Sequence, residues 1–196
     1  DCPRLLEGVL SCATVQDVEK RREELLQFAF DGGMLHDVGA LGLCRMLLMS
    51  ARSWMEEESA MFKYHVEAGV RILERCESTR PFSPIARGHH VYYDGSGGYP
   101  AEYDRAANPV QIVTDMVSIA AYASRMTEQA THHTMPIYTP GEVMEQIRQG
   151  AGHLFHPELA RIWLSMEAEL TAYLQCGRRE AYLEAIRLIR GREEER

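Results

Sequence analysis

Leu35-His36-Asp37-Val38-Gly39-Ala40-Leu41-Gly42 closes a stretch, Ser11 to Leu35, in which Val15, Val18, Leu25, Leu26, Phe28 and Leu35 recur at helical spacing. A histidine and an aspartate at the end of an apolar helix are costly to bury unless something satisfies them. Working outward, His65 lies in a second periodic run, Glu56 to Cys76, with Met61, Tyr64, Val66, Val70, Ile72 and Leu73. His89-His90 precedes the loop Asp94-Gly95-Ser96-Gly97-Gly98-Tyr99-Pro100, and Asp115 lies within the apolar start of a third helix, about Asn108 to Thr127, opened by Asn-Pro. Helix ends and facing helices deliver side chains into bundle centres, where metal sites are commonly built. Taken singly, His65 reads as a core histidine, His89-His90 as a surface pair and Asp115 as a carboxylate bonded to backbone. Taken together and in this order, His36, Asp37, His65, His89, His90 and Asp115 read as the ligands of a divalent metal pair.

That donor mixture suits iron, manganese, zinc or nickel, and a carboxylate can bridge two ions as a single imidazole cannot. Such ions lower the pKa of bound water and polarise a phosphoryl oxygen, so the expected chemistry is hydrolysis of a phosphate ester.

The rest of the chain is consistent with an all-α protein. Pro140-Gly141 precedes a short helix, Glu142 to Arg148; Pro157 opens another; a last amphipathic helix is expected over Arg178 to Ile189. No stretch alternates long enough for a strand, and the main irregular region is Arg80 to Asn108. The 196 residues fit a single domain, with an upstream domain of a longer protein also compatible with the start at Asp1. A net charge of −8 argues against a coat for nucleic-acid polymers, yet metal ions would reverse the potential inside one pocket. The five cysteines, Cys2, Cys12, Cys44, Cys76 and Cys176, are odd in number and widely spaced, as reduced thiols of a cytoplasmic protein would be. No apolar run approaches a membrane span. The glycine loop lacks the Lys and Ser or Thr of a Walker cradle. His132-His133, His153 and His156 read as solvent-exposed loop histidines, Trp54 and Trp163 as packing residues, and the ten methionines as core filling.

These stretches resemble a known family. Residues 35–42 resemble the HDxGKxG signature of HD-domain phosphohydrolases, and His89 to Pro100 resembles the HHExxDGxGYP block of the HD-GYP subfamily. Lys63 to Gly69 is similar to that family's H…G helix, Ile112-Val113-Thr114-Asp115 to its Asp-bearing helix, and Gly152 to Leu159 to its closing segment. The resemblance covers about residues 26–164, leaving a helical appendage at about 157–190. It implies an HD-domain helical bundle with two or three divalent ions, iron or manganese before zinc or nickel, hydrolysing a cyclic dinucleotide such as cyclic di-GMP. Carried over by position, His36, Asp37, His65, His89, His90 and Asp115 become metal ligands, with Asp37 the bridge that positions the hydroxide. Tyr99, Gly98 and Pro100 would meet substrate, and Asp94 would order the loop. A diguanylate cyclase domain docking on the Tyr99 loop, and a homodimer, complete the expectations.

The departures cluster at substrate contacts. Ala40 replaces a Lys, Val91 replaces a Glu, one extra glycine lengthens the loop, and Met135-Pro136-Ile137-Tyr138 stands where the family has RPYR. No His precedes His36, so an upstream ligand falls to Glu7, Glu19, Glu23 or Glu24. Each lost charge-assisted phosphate contact is worth on the order of 1.5–3 kcal/mol. Arg45, Lys63, Arg87, Arg105 and Arg125 are the cations available to replace them, each on its own reading as a solvated surface charge. A signalling module with little turnover, or a phosphohydrolase of another small phosphoester, are the alternatives these departures suggest.

Overall fold

Thr14 opens the first helix through a reciprocal cap. Its hydroxyl accepts from Asp17 N at 3.2 Å, while the Asp17 carboxylate accepts from Thr14 N at 3.0 Å. The computed structural model describes residues 2–43, 55–127 and 138–177. The run expected as one helix is two, α1 (Val15–Lys20) and α2 (Arg22–Leu35), separated at Arg21, where φ −103° and ψ 20° leave the helical region. There the Arg21 guanidinium turns to Glu24 and to the carbonyl of Leu10. A 3₁₀ turn, Val38–Ala40, follows α2.

The second expected helix is likewise two, α3 (Glu56–Lys63) and α4 (His65–Leu73), broken at Tyr64. α4 buries His65, Val66, Gly69, Val70 and Leu73 along one face. α5 (Ser83–Gly88) lies inside the stretch expected to be irregular; Pro84 sits in its first turn, where a missing N–H does no harm. α6 (Gln111–Thr127) matches the third expected helix. α7 (Pro140–Gly150) starts earlier than expected because Thr139 and Glu142 form another reciprocal cap. α8 (Pro157–Ser165) and α9 (Glu167–Ala172) follow, and a π-helical turn, Tyr173–Gly177, ends the described residues. Among the described residues there is no strand, only an isolated bridge between Ala151 and Phe155. The fold is all-α, and none of its described helices is long and apolar enough to cross a membrane. The expected helix Arg178 to Ile189 lies outside the described residues, as do Arg45, Trp54, His132, His133 and residues 135–137.

α6 is the central pillar. Its first half joins Val9, Cys12, Val18, Leu25, Phe28 and Ile85 in one apolar cluster, and its second half, through Ile119 and Ala123, joins Val143, Ile147, Phe155, Leu159 and Ala160 in another. Burial of each large aliphatic here contributes about 1.5–3 kcal/mol. Trp163 packs on the second cluster. One contact matters most for the site. Gly39 lies directly on the backbone of α4, so close that a Cβ there would sit 2.9 Å from Gly69 Cα and nearer still to His65 O and Gly69 N. Only glycine allows that approach, which seats Asp37 over His65.

Candidate metal centre

Three histidines reach the centre by one construction. His36 follows the last turn of α2, His65 follows α3, and His89 follows α5. Carbonyls in a helix's last turn lack intrahelical N–H partners. Each ring uses one of them three residues back: His36 Nδ1 lies 2.6 Å from Gly33 O, His65 Nδ1 2.7 Å from Phe62 O, and His89 Nδ1 2.9 Å from Ala86 O. A carbonyl only accepts, so Nδ1 carries the proton, and in the neutral ring Nε2 presents a lone pair.

All three Nε2 atoms face Asp37. His36 Nε2 lies 3.3 Å from Asp37 Oδ2, while His65 Nε2 and His89 Nε2 lie 3.1 and 3.3 Å from Asp37 Oδ1. Yet His65 Nε2 and His89 Nε2 are buried atoms with no hydrogen-bond partner. Lone pairs aimed at an anionic oxygen repel it unless a positive charge sits among them. Asp37, His65, His89 and His90 bring one ligand atom each within 4.8 Å of one another, so a single divalent cation would satisfy every orphaned atom. The residues fit such an ion. The Asp37 side chain is 49 % exposed, which leaves the cluster open to solvent on that side.

Burial pushes the Asp37 carboxyl up, but the contacts with His36, His65 and His89 outweigh it and hold the group far below the usual carboxylate range. Burial, with the neighbouring imidazoles, pushes His89 down and His90 well down, which favours the neutral, donor form of both rings. His36 is depressed by burial and raised by Asp37, and the net shift is upward.

The structure does not bring Asp115 into this cluster. Its carboxylate, 5 % exposed, accepts from Arg105 Nη2 with both oxygens at 2.9 Å and from Gln111 Nε2 at 2.9 Å. Burial pushes this carboxyl up while Arg105 and Gln111 pull against it. Glu7, Glu19, Glu23 and Glu24 do not join the cluster either.

The glycine loop closes over His90. Tyr99 stacks on the His90 ring with centroids 4.4 Å apart and meets His65 edge-on at 6.0 Å. Gly98, at φ 87°, carries the turn, since a Cβ there would press on Val91 Cα and the His90 carbonyl. Pro100 follows through a cis peptide. Asp94 accepts from Ser96 N at 2.9 Å and from His153 Nδ1 at 2.7 Å, and these bonds, His153 first, hold its carboxyl well below the ordinary value. His153 is exposed, as expected, but it pins the loop; His156 is only partly exposed, with its Nδ1 buried against the ring of Tyr93.

Two cations read from sequence as solvated border Tyr99. Lys63 Nζ lies 5.8 Å from the Tyr99 ring centre, and Arg125 donates to its hydroxyl. Burial nonetheless pushes the Tyr99 phenol up, so it is a neutral hydroxyl at physiological pH. Sequence reasoning found both cations only as options; their shared proximity to Tyr99 crosses three separate elements and leaves no local pattern.

Residues 3–159 match the family described as HD domain. A cyclic di-GMP phosphodiesterase of Thermotoga maritima is 29 % identical over 149 residues, covering 74 % of this chain and 38 % of that protein. A cyclic di-GMP phosphodiesterase of Vibrio cholerae is 26 % identical over 154 residues, covering 75 % and 30 %. A 3'3'-cGAMP-specific phosphodiesterase 2 of Vibrio cholerae is 27 % identical over 140 residues, covering 70 % and 26 %. The chain therefore spans well under half the length of each of these relatives.

Proposed function

The chain belongs to the HD-domain family, and from its Asp37–histidine cluster we propose that it is a metal-dependent phosphodiesterase acting on a cyclic dinucleotide. The observation that carries this is the pair of buried, partnerless Nε2 atoms on His65 and His89, aimed at one carboxylate. The relatives named cyclic di-GMP and cGAMP phosphodiesterases support the substrate class. When bound, a divalent ion, with iron or manganese suited to this donor set, supplies a water of lowered pKa and a Lewis-acid contact to a phosphoryl oxygen.

The chain's own residues do the remainder. Asp37 and the imidazoles hold the charge in place, their rings locked by backbone carbonyls. Tyr99, lying over His90, offers a neutral hydroxyl and an aromatic face against which a nucleobase can stack. Lys63 and Arg125, both bordering Tyr99, supply cations for phosphate where Ala40 cannot. Gly98 and Pro100 set the position of Tyr99, and Asp94 with His153 holds the loop that carries it.

A module with little turnover that binds nucleotide, or a partner such as a diguanylate cyclase domain, is the second reading. Its support is Ala40, a buried residue that puts no charge at the centre. The test is a panel of cyclic di-GMP, cyclic GMP-AMP and simple phosphomonoesters, assayed with manganese and with anaerobic iron. Turnover of a cyclic dinucleotide that disappears in His89→Ala supports the phosphodiesterase. Binding with no turnover replaces it with the second reading, and turnover of monoesters alone replaces the substrate.

A further inference from the structure

We infer that Asp115, its charge taken up by Arg105, is no ligand of the metal centre, so that the cluster of Asp37, His65, His89 and His90 holds one divalent ion and not two. The inference rests on the metal reading above and concerns how many ions that centre takes.

Asp115 is the acidic residue on α6 that the sequence offers as a second metal-binding carboxylate, and its charge is already balanced. One Arg105 nitrogen straddles both carboxylate oxygens, and Gln111 occupies a further lone pair on Oδ1. Arginine does not release its proton in a protein, so the guanidinium cannot step aside as a neutral group. The arrangement is built into its surroundings. Arg105 lies over the Tyr93 ring, with Cζ 5.2 Å from its centre. The segment that carries it is tied down by Asn108 Nδ2, which donates to Tyr103 Oη at 2.6 Å and to Thr114 Oγ1 at 2.9 Å. Tyr103 in turn donates to Gln111 at 2.8 Å.

Among the described residues the other side of Asp37 is poor in donors. His36 Nε2 approaches Asp37 Oδ2, but among the described residues no third ligand atom joins them. Catalytic metal sites ordinarily take three protein ligands. Charge points the same way: two dications about 3.5–4 Å apart would set four positive charges against the single carboxylate of Asp37. One ion held by these residues would meet the single carboxylate of Asp37 and leave a modest positive excess suited to an anionic substrate.

The test strips the chain of metal, reloads it with excess manganese, removes the excess and measures manganese per chain together with its paramagnetic resonance spectrum. The same is done for the double variant Arg105→Gln/Asp115→Asn, which keeps a hydrogen-bonded amide pair and leaves no lone buried charge. The expected result is one manganese per chain with the spectrum of isolated ions in both proteins. Affinity in the variant stays within about threefold, against the roughly 10–100-fold typical when a supporting group is lost. Two ions per chain, or an exchange-coupled spectrum in the wild type, overturns the inference while leaving the metal reading intact. Loss of manganese from a double variant that melts as the wild type does also overturns it, because Asp115 would then be a ligand. No manganese in the wild type overturns the metal reading itself, and the inference with it. If the double variant does not fold, stoichiometry and spectrum of the wild type decide alone.

Discussion

Gly39→Ala should disable the metal centre without altering a single donor atom. A Cβ at this position would lie 2.9 Å from Gly69 Cα and nearer still to His65 O and Gly69 N, where ordinary contact begins at 3.4 Å. Every atom it meets is backbone, so none can swing away by changing rotamer. The 3₁₀ turn and α4 must part by roughly 1 Å in an interior that is otherwise close-packed. Asp37 stands on one side of that seam and His65 on the other, with 3.1 Å between Oδ1 and Nε2, and their separation opens with it.

Overpacking of this kind costs about 1–3 kcal/mol. In a chain of this size that lowers the melting temperature by roughly 4–10 °C. A misplaced imidazole weakens manganese binding by roughly tenfold or more. Gly33→Ala is the control: a Cβ there meets nothing within 4 Å, the position is inside α2, and the carbonyl that His36 uses is unchanged. It should leave metal binding alone and raise stability by up to about 1 kcal/mol. Thermal melts of the metal-free proteins and manganese titration calorimetry measure both quantities. A Gly39→Ala protein that melts within about 1 °C of wild type and binds manganese equally well would refute the claim that this backbone contact sets the centre's geometry.

Other outcomes follow from the same contacts. His65→Ala removes a wholly buried ligand, so manganese retained at equilibrium should fall by at least an order of magnitude; undiminished binding in a metal assay would exclude His65 from the shell. Tyr99→Phe deletes the acceptor for Arg125, worth about 1 kcal/mol, and should raise KM for a cyclic dinucleotide roughly fivefold with manganese stoichiometry unchanged. In the metal-free chain, burial and the adjacent imidazoles hold His90 below its ordinary value, so the unfolded chain takes up a proton that the folded chain refuses. Stability should therefore fall as pH drops below about 6.5, by up to about 1.4 kcal/mol per unit from this group. His36 and Asp37 shift in ways that do not share this origin, and urea denaturation of wild type beside His90→Asn isolates the His90 share as a shallower slope in the variant.

The helices were legible in the sequence because an apolar face repeats with the helical period, and that signal needs no knowledge of the partner surface. His36, Asp37, His65, His89 and His90 were legible for a related reason: each interrupts such a face or caps it, and an unsatisfied polar group there demands an explanation. The breaks at Arg21 and Tyr64 were not legible, since the apolar period continues through both. α5 escaped because its six residues are too short to show a period and two prolines, Pro81 and Pro84, crowd its start. Asp115 marks the boundary most clearly. An acid in an apolar helix announces that it has a partner, but the spacing of Arg105 and Asp115 says nothing about which cation the intervening turn delivers. Lys63, Arg125 and His153 belong to the same class, their meetings with Tyr99 and Asp94 being made by tertiary packing alone.

The shared construction of His36, His65 and His89 explains how a bundle of short helices can hold a rigid donor set. A histidine in the middle of a helix finds its neighbouring carbonyls already bonded, and its ring is then oriented by side-chain packing only. A histidine just past the last turn finds a carbonyl three residues back that is not committed to the i−4 ladder. Bonding to it fixes the proton on Nδ1 and the orientation of the ring together. The interruptions at Tyr64 and after Leu35 are thus productive: continuous helices through these points would lock those carbonyls into the ladder and leave the rings unoriented. What looks like poor helix continuity in α2–α5 is the means by which backbone, and not side-chain packing, aims three Nε2 atoms at one carboxylate.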